Sequence, residues 1–421
     1  MKKTFALLAT TALSLATLRA DNPAFDWPQF RGPNRDDISK ETGLLKEWPA
    51  DGPKKLWSYT QAGNGYSGFS IVGGKLFTMG SRDGSEILIC LDANSGKELW
   101  VAKLGPSGKM PQTKWGEGPR GTPTVEGDRV YALGGDGTLV AVQAADGKEL
   151  WHTTMADLGG KIPGWGYTES VLVDGNQVVC SPGGSKGVVA ALDKTTGKPI
   201  WQSGQWMDDA QYSSIIPATI NGQKQYIQRA MHNIAGIDPK DGALLWQQSY
   251  PGKVAMIPTP IVKDNQVYVA SGYGVGCLSF TIEPGNQVKM LYDETSGTNK
   301  VMKNHHGGVV LVDGNVYGYS DGVGWVCQDF KTGAQVWAEK KALDKGAIAY
   351  ADGHLYCLEE KSGTLVLIDA SPNGWKEISR FKLDPQSTIR SPDGRIWTHP
   401  VISNGRLYLR DQDLIYSYSI K

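Results

Sequence analysis

Two adjacent imidazoles, His305 and His306, are the sharpest chemical feature of this chain. Histidine can ligate a metal, move a proton near neutral pH or share hydrogen bonds with a ligand. On a strand, neighbouring side chains face opposite sides, so at most one of these rings is expected to point into a common site. A metal site needs further ligands, and His399 and Glu169 are the only obvious ones. Glu169 offers a general base or a calcium oxygen, and equally an ion pair with Arg120 across neighbouring elements. Around these groups stand Tyr66, Arg120, Trp165, Tyr167, Tyr212, Asn304, Lys345 and Trp397. The rings suit stacking against a sugar or an aromatic ligand, but they also suit packing under a lip. The cations suit an anion. Glu169 and His306 are the candidates for catalysis, and no complete catalytic set accompanies them. Neither a Ser-His-Asp order nor paired carboxylates for hydrolysis can be read from the chain.

What must position these residues is a repeat. Trp100, Trp151, Trp201, Trp246 and Trp337 each have a glycine four residues earlier and Asp or Gln eight earlier, with Ser, Thr or Asp at minus five. With Trp57 in front, the steps are 43, 51, 50, 45 and then 91 residues, the last being two steps with one degenerate copy between. A period near 45 signals repeating supersecondary units. Within Gly127 to Trp151 the order is turn, strand, turn, strand, turn, strand, with Asp-Gly and Gly-rich punctuation. The first hairpin turn recurs eight times, at Gly73-Gly74, Gly127-Asp128, Asp174-Gly175, Asn221-Gly222, Asp264-Asn265, Asp313-Gly314, Asp352-Gly353 and Asn404-Gly405. Eight four-stranded units predict an all-β, eight-bladed β-propeller over residues 54–421. The last unit has only three strands of its own. The segment Lys54 to Tyr59, carrying Trp57, is predicted to complete it and close the ring without a bare edge.

The candidate residues then fall together. If strands run from the inside of each blade outward, the links from one unit to the next all lie on one face. Those links, which enter the inner strands, carry nearly all the polar and aromatic residues named above. The longest of them add Trp115 and a lip. The mouth of the central channel is therefore the expected functional surface.

Residues 1–20 read as a secretory signal: a basic start at Lys2 and Lys3, an apolar stretch from Phe5 to Leu18, and an exit at Ala20. The stretch is short for a membrane span. No cysteine precedes Cys90, which argues against lipid attachment at a cleavage site. A periplasmic or extracellular monomer is expected, cleaved near Ala20. Residues 21–53, rich in proline and aromatics, read as an arm lying on the ring, with one helical turn around Thr42 to Glu47. Net charge is zero, which excludes nucleic acid or an anionic membrane held by bulk electrostatics. Five cysteines, all in predicted strands of different units, read as buried thiols rather than a disulfide or zinc framework.

The phrase from Leu91 to Trp100, and copies such as Leu192 to Trp201, resembles the repeat of quinoprotein-type propellers, the pyrroloquinoline-quinone (PQQ)-like repeat family. The opening Trp27 to Pro33 looks like the start of many secreted bacterial members. The resemblance implies the fold. For function it implies two rivals: PQQ-dependent, calcium-assisted alcohol or sugar dehydrogenases, and non-catalytic members such as the lipoprotein scaffold of the outer-membrane barrel assembly machine. The chain lacks the adjacent cysteine pair of the dehydrogenases and the lipidated cysteine of the scaffold. Arg120, Lys345 and Trp397 could hold a quinone's carboxylates and ring, but Glu169 and Asn304 are the only candidate oxygen ligands for a calcium that takes 6–8. The expectation is a binding protein without a metal or cofactor, whose partner is a protein, glycan or small ligand at the channel mouth.

Overall fold

A computed structural model describes residues 22–298 and 300–421. It is all-β, an eight-bladed propeller with a single short 3-10 helix, Pro23–Phe25, among the described residues. Blade 1 is Ser70–Val72, Lys75–Arg82, Ser85–Asp92 and Glu98–Pro106, paired antiparallel in that order, and the following blades repeat the plan. First strands of neighbouring blades touch one another, as Ser70–Val72 does Thr124–Glu126 and Gly346–Ala351 does Val401–Ser403, so they form the inner wall. Blade 8 combines Val401–Ser403, Arg406–Asp411 and Leu414–Ser419 with Lys55–Tyr59, which supplies its outer strand. Seven of the eight first hairpins turn at the expected pair of residues. The third turns one residue later, at Gly175-Asn176, because Asp174 still pairs with Gln177.

The repeat phrase is a device for joining blades. The Asp92 carboxylate accepts the amides of Asn94 and Ser95 and the Ser95 hydroxyl, closing a local turn. Asp193 does the same with Thr195 and Thr196. The glycine that follows has positive φ and lies flat against the previous blade's tryptophan: a Cβ at Gly197 would sit 2.5 Å from the Trp151 ring. Each indole then donates to a carbonyl of the next blade: Trp57 to Ala93 at 3.0 Å, Trp100 to Ala144 at 3.2 Å, Trp151 to Lys194 at 3.0 Å and Trp201 to Pro239 at 3.1 Å. In the degenerate copy Tyr292 takes the tryptophan's place and donates to Phe330 at 3.1 Å. Trp246 departs from the pattern and donates to Gln225 in its own blade. Apolar clusters fill the gaps between blades, and all five cysteines are free and buried within them.

The arm does not lie on the ring. It enters the bore. Trp27 pairs with Ile71 of blade 1, and the Pro28 carbonyl accepts from Val125 of blade 2. Arg35 donates to the Ser170 and Val171 carbonyls of blade 3, and Arg31 to the Val309 carbonyl of blade 6. Ile38–Ser39 runs parallel to Gly346–Ala351, adding a fifth strand inside blade 7. A segment that meets six blades of one ring must occupy its centre. Inner strands have an edge with no next strand, and their carbonyls need donors. Two arginines and the short parallel strand supply them. Asn22 bonds to Asn404, and Glu41 accepts from Gly405, so the arm enters and leaves beside the same hairpin, on the face opposite the links. Its apex, Phe30 to Asp37, points toward the other face. No helical turn forms around Thr42 to Glu47, because Leu44 and Leu45 bond outward to Asp352 and Ile420 rather than to one another. The proposed signal segment lies outside the described residues.

Candidate functional site

Above the arm's apex lies a cavity of about 520 Å³. Nine of the twelve residues singled out from the sequence line it: Tyr66, Arg120, Trp165, Tyr212, His305, His306, Lys345, Trp397 and His399. Each stands just upstream of a first strand, where the chain crosses the mouth of the ring. The arm supplies the floor with Trp27, Phe30, Arg31 and Asp37.

Three residues lie elsewhere. Tyr167 is buried, and its hydroxyl donates to the carbonyls of Lys161 and Pro182, both at 3.0 Å. Asn304 is buried and ties the carbonyls of Gly308 and Tyr319 together at 2.8 and 3.0 Å. Glu169 is buried and does not pair with Arg120. Its two oxygens accept from the Ser181 amide at 2.6 Å and the Ser181 hydroxyl at 2.9 Å. Burial pushes its carboxyl up to about 7, opposed by the Ser181 hydrogen bonds and by Arg35. It fastens the inner end of blade 3.

The two histidines break the alternation rule because they precede the strand Val309–Val312 rather than belonging to it. Their rings stack at 3.5 Å between centroids, and both face the cavity. Tyr273 meets His305 edge-on at 4.3 Å, and Trp397 lies 4.6 Å from His306. Lys345 approaches His305 Nδ1 at 2.6 Å and pairs with Asp321 at 2.8 Å. Since the ammonium can only donate, Nδ1 accepts, and the ring hydrogen sits on Nε2. Burial holds both imidazoles well below their ordinary range. His306 and then Lys345 add to this for His305; Lys345, Arg120 and His399 do so for His306. Both rings are thus neutral near pH 7, and His305 Nε2 and His306 Nδ1 are buried without a hydrogen-bond partner.

A second group surrounds Arg120. Its guanidinium lies over the Tyr66 ring at 4.5 Å and the Trp397 ring at 5.9 Å. Tyr66 and Trp397 contact each other at 4.9 Å. The Arg120 Nη2 donates to the Gly116 carbonyl at 2.9 Å, Nε has no partner, and among the described residues no carboxylate forms an ion pair with it. Trp165 and Tyr212 pack edge-on at 5.7 Å as another wall.

Carboxylates are present that sequence reasoning missed. Glu360 accepts from the Trp397 indole at 3.0 Å and lies 3.8 Å from His306 Nδ1, beyond hydrogen-bond range. Burial pushes its carboxyl above the ordinary range, opposed by Lys345, the Trp397 bond and Arg395. Asp37, from the arm, binds Arg31 and His399, both at 2.9 Å. Asp37 belongs to no repeat, and only the arm's position in the bore brings it here. Glu360 had a readable signal, since it opens the turn after the second strand His354–Glu359, and that turn faces the mouth. Among the described residues, no three His, Cys, Asp or Glu side chains are arranged to hold a metal ion.

The family model for "Outer membrane protein assembly factor BamB" matches residues 83–339. The BamB of Shewanella oneidensis is 22% identical over 251 residues, which span 56% of this chain and 56% of that protein, so the match covers little more than half of the relative's length. Among solved structures, BamB from Moraxella catarrhalis superposes with a TM-score of 0.59 at 17% identity, covering 87% of this chain and 97% of the other. Quinohemoprotein alcohol dehydrogenase from Comamonas testosteroni gives 0.64 at 13% identity, covering 95% and 81%. At such identities the structural likeness speaks for the fold alone. The family match covers more than half of the chain, and with the eight-bladed ring and its tryptophan phrase it places this chain in the PQQ-like β-propeller family that includes BamB.

Proposed function

We propose that this chain is a secreted or periplasmic binding propeller that works without redox catalysis, and that its ligand seats at the channel mouth. The observation that carries this reading is the combination at the mouth: a cavity rimmed with aromatic rings, an arginine without an ion pair, and a bore closed behind it. The links around the rim also expose Ile162, Met207, Val254 and Ile389. Such apolar groups beside a concave polar site suit a partner or ligand surface. The BamB relatives support a scaffold role.

The rival is a calcium-assisted quinone dehydrogenase. Arg120, Lys345 and Trp397 could meet a quinone's carboxylates and ring, and a quinone would supply hydride acceptance when bound. The oxygen donors for calcium do not fit. Asp37 is committed to Arg31 and His399, Glu360 to Trp397, and Glu169 to Ser181.

The test is a thermal-shift screen of the full chain against saccharides, organic acids and peptides, beside a dye-linked alcohol assay with added PQQ and Ca²⁺. A ligand shift that Trp397→Ala and His306→Ala abolish, without lowering the unliganded melting temperature, is the expected result. Alcohol turnover lost in Glu360→Gln would install the dehydrogenase instead.

A further inference from the structure

We propose that the mouth cavity binds an acidic sugar residue, a pyranose carrying one carboxylate, with the carboxylate on Arg120 and the ring against Trp397. The inference rests on the reading of the mouth as the binding surface and goes on to name the ligand's chemistry.

The cations around the cavity differ in what holds them, and Arg120 is the one set over aromatic rings. Arg31 is matched by Asp37 at 2.9 Å, and Lys345 by Asp321 at 2.8 Å. Arg395 bonds to the backbone carbonyls of Pro392 and Gly394, and Glu360 lies within its electrostatic reach. Arg120 forms no ion pair either; the carboxylate within its electrostatic reach is Glu86, which already accepts from the Gly135 amide at 2.7 Å. Its plane is held by the Tyr66 and Trp397 rings, and one nitrogen is committed to Gly116. The guanidinium is therefore positioned in advance, with unused N–H donors. A carboxylate is the geometric match for such a fork.

The rest of the wall argues for a hydroxylated ring behind that carboxylate. Trp397 and Tyr66 form one platform, and Trp165 with Tyr212 forms another. Aromatic faces suit the C–H face of a pyranose. His305 Nε2–H is an unsatisfied donor, and His306 Nδ1 is also unpartnered. Buried polar atoms of this kind are costly if left unmet. Hydroxyls can donate to one and accept from the other. Neutral imidazoles do not add positive charge, and Glu360 and Asp37 repel further anions. That sets the ligand at one negative charge rather than several, against a polyphosphate or a polycarboxylate. The volume, about 520 Å³, lies within the range of small-molecule sites and admits a short oligosaccharide end. The arm closes the bore below, so the chain of sugars would leave through the mouth.

Calorimetric titration of the full-length protein decides the matter. The probes are galacturonic acid, which carries one carboxylate, and neutral galactose, each at about 50 and about 500 mM salt. The expected result is binding of the acid only, weakened by high salt, roughly tenfold weaker in Arg120→Gln and less affected in Arg120→Lys. Trp397→Ala should weaken it by a similar factor. Melting curves of each variant check that the fold is kept. Equal binding of both saccharides, or acid binding indifferent to Arg120→Gln, overturns the assignment while leaving the mouth as the binding surface. If neither saccharide binds, the acidic-sugar assignment falls. The mouth reading is then judged separately by whether any ligand shift in the thermal screen depends on Trp397.

Discussion

Aromatic residues serve this molecule in two places under two different rules. Around the girdle, Trp57, Trp100, Trp151 and Trp201 repeat one geometry, each ring flat against the next blade's glycine and each indole N–H spent on a carbonyl. At the mouth, Tyr66, Trp115, Trp165, Tyr212 and Trp397 stand on the links between blades, outside the repeat phrase, and line open space. The girdle's rings are satisfied by the protein itself. The mouth's rings leave faces uncovered and gather polar nitrogens without hydrogen-bond partners, on Arg120, His305 and His306. Membership of the Asp-turn-Gly-Trp phrase thus marks the aromatics that build the ring, and placement on a link marks those that are free to meet something else.

The contrast can be broken in several ways, beginning with the largest effect. Removing 54–59 takes the outer strand from blade 8 together with Trp57; soluble, cooperatively folded protein should be lost in size-exclusion and melting experiments. Next, Trp151→Ala should cost about 3–5 kcal/mol in denaturant unfolding. Gly197→Ala, which meets the same ring at a positive φ, should lower stability less but clearly. By contrast, Trp397→Ala at the half-open mouth should cost under about 1 kcal/mol while abolishing ligand-dependent shifts. Equal losses at Trp151 and Trp397 would erase the distinction between girdle and mouth.

The smallest effect concerns pH. Glu169 titrates at about 7 in the folded chain against an ordinary 4.5. Between those values the folded state holds a proton that the unfolded chain has released, so stability contributed by this group falls as pH rises from about 4.5 to 7. Glu86, raised to about 7 by burial, acts in the same direction. Glu169→Gln should flatten part of that slope without altering ligand binding. A binding defect in this variant would return Glu169 to the site.

The architecture was legible because each repeat carries its own joint. An Asp-turn-Gly-Trp phrase is a local object, and its period counts blades. Most of the mouth was legible for a related reason: topology puts every link on one face, so Arg120, His306 and Trp397 converge although 277 residues separate the first from the last. What escaped was set by direction rather than position. Glu169 and Asn304 lie on the same links but turn inward to neighbouring backbone and hydroxyls. His305 and His306 sit just before a strand, so strand alternation did not govern them. Asp37 and Arg31 reach the site only because the arm enters the bore, and no repeat or motif in residues 21–53 encodes that path.

The arm also constrains the order of events in folding. Asn22 meets Asn404 across 382 residues of chain, and the arm's other bonds reach blades 1, 2, 3, 6 and 7. The arm, which precedes all eight blades in the sequence, therefore has no complete binding place until the last blade exists. Arg31 and Arg35 cannot be desolvated at low cost before the inner carbonyls that receive them are assembled in a circle. Insertion of the arm should be a late, slow step that follows ring closure and makes unfolding of the separate blades cooperative. In hydrogen exchange, the Tyr350 amide, which donates to Asp37, should gain protection only in that final phase.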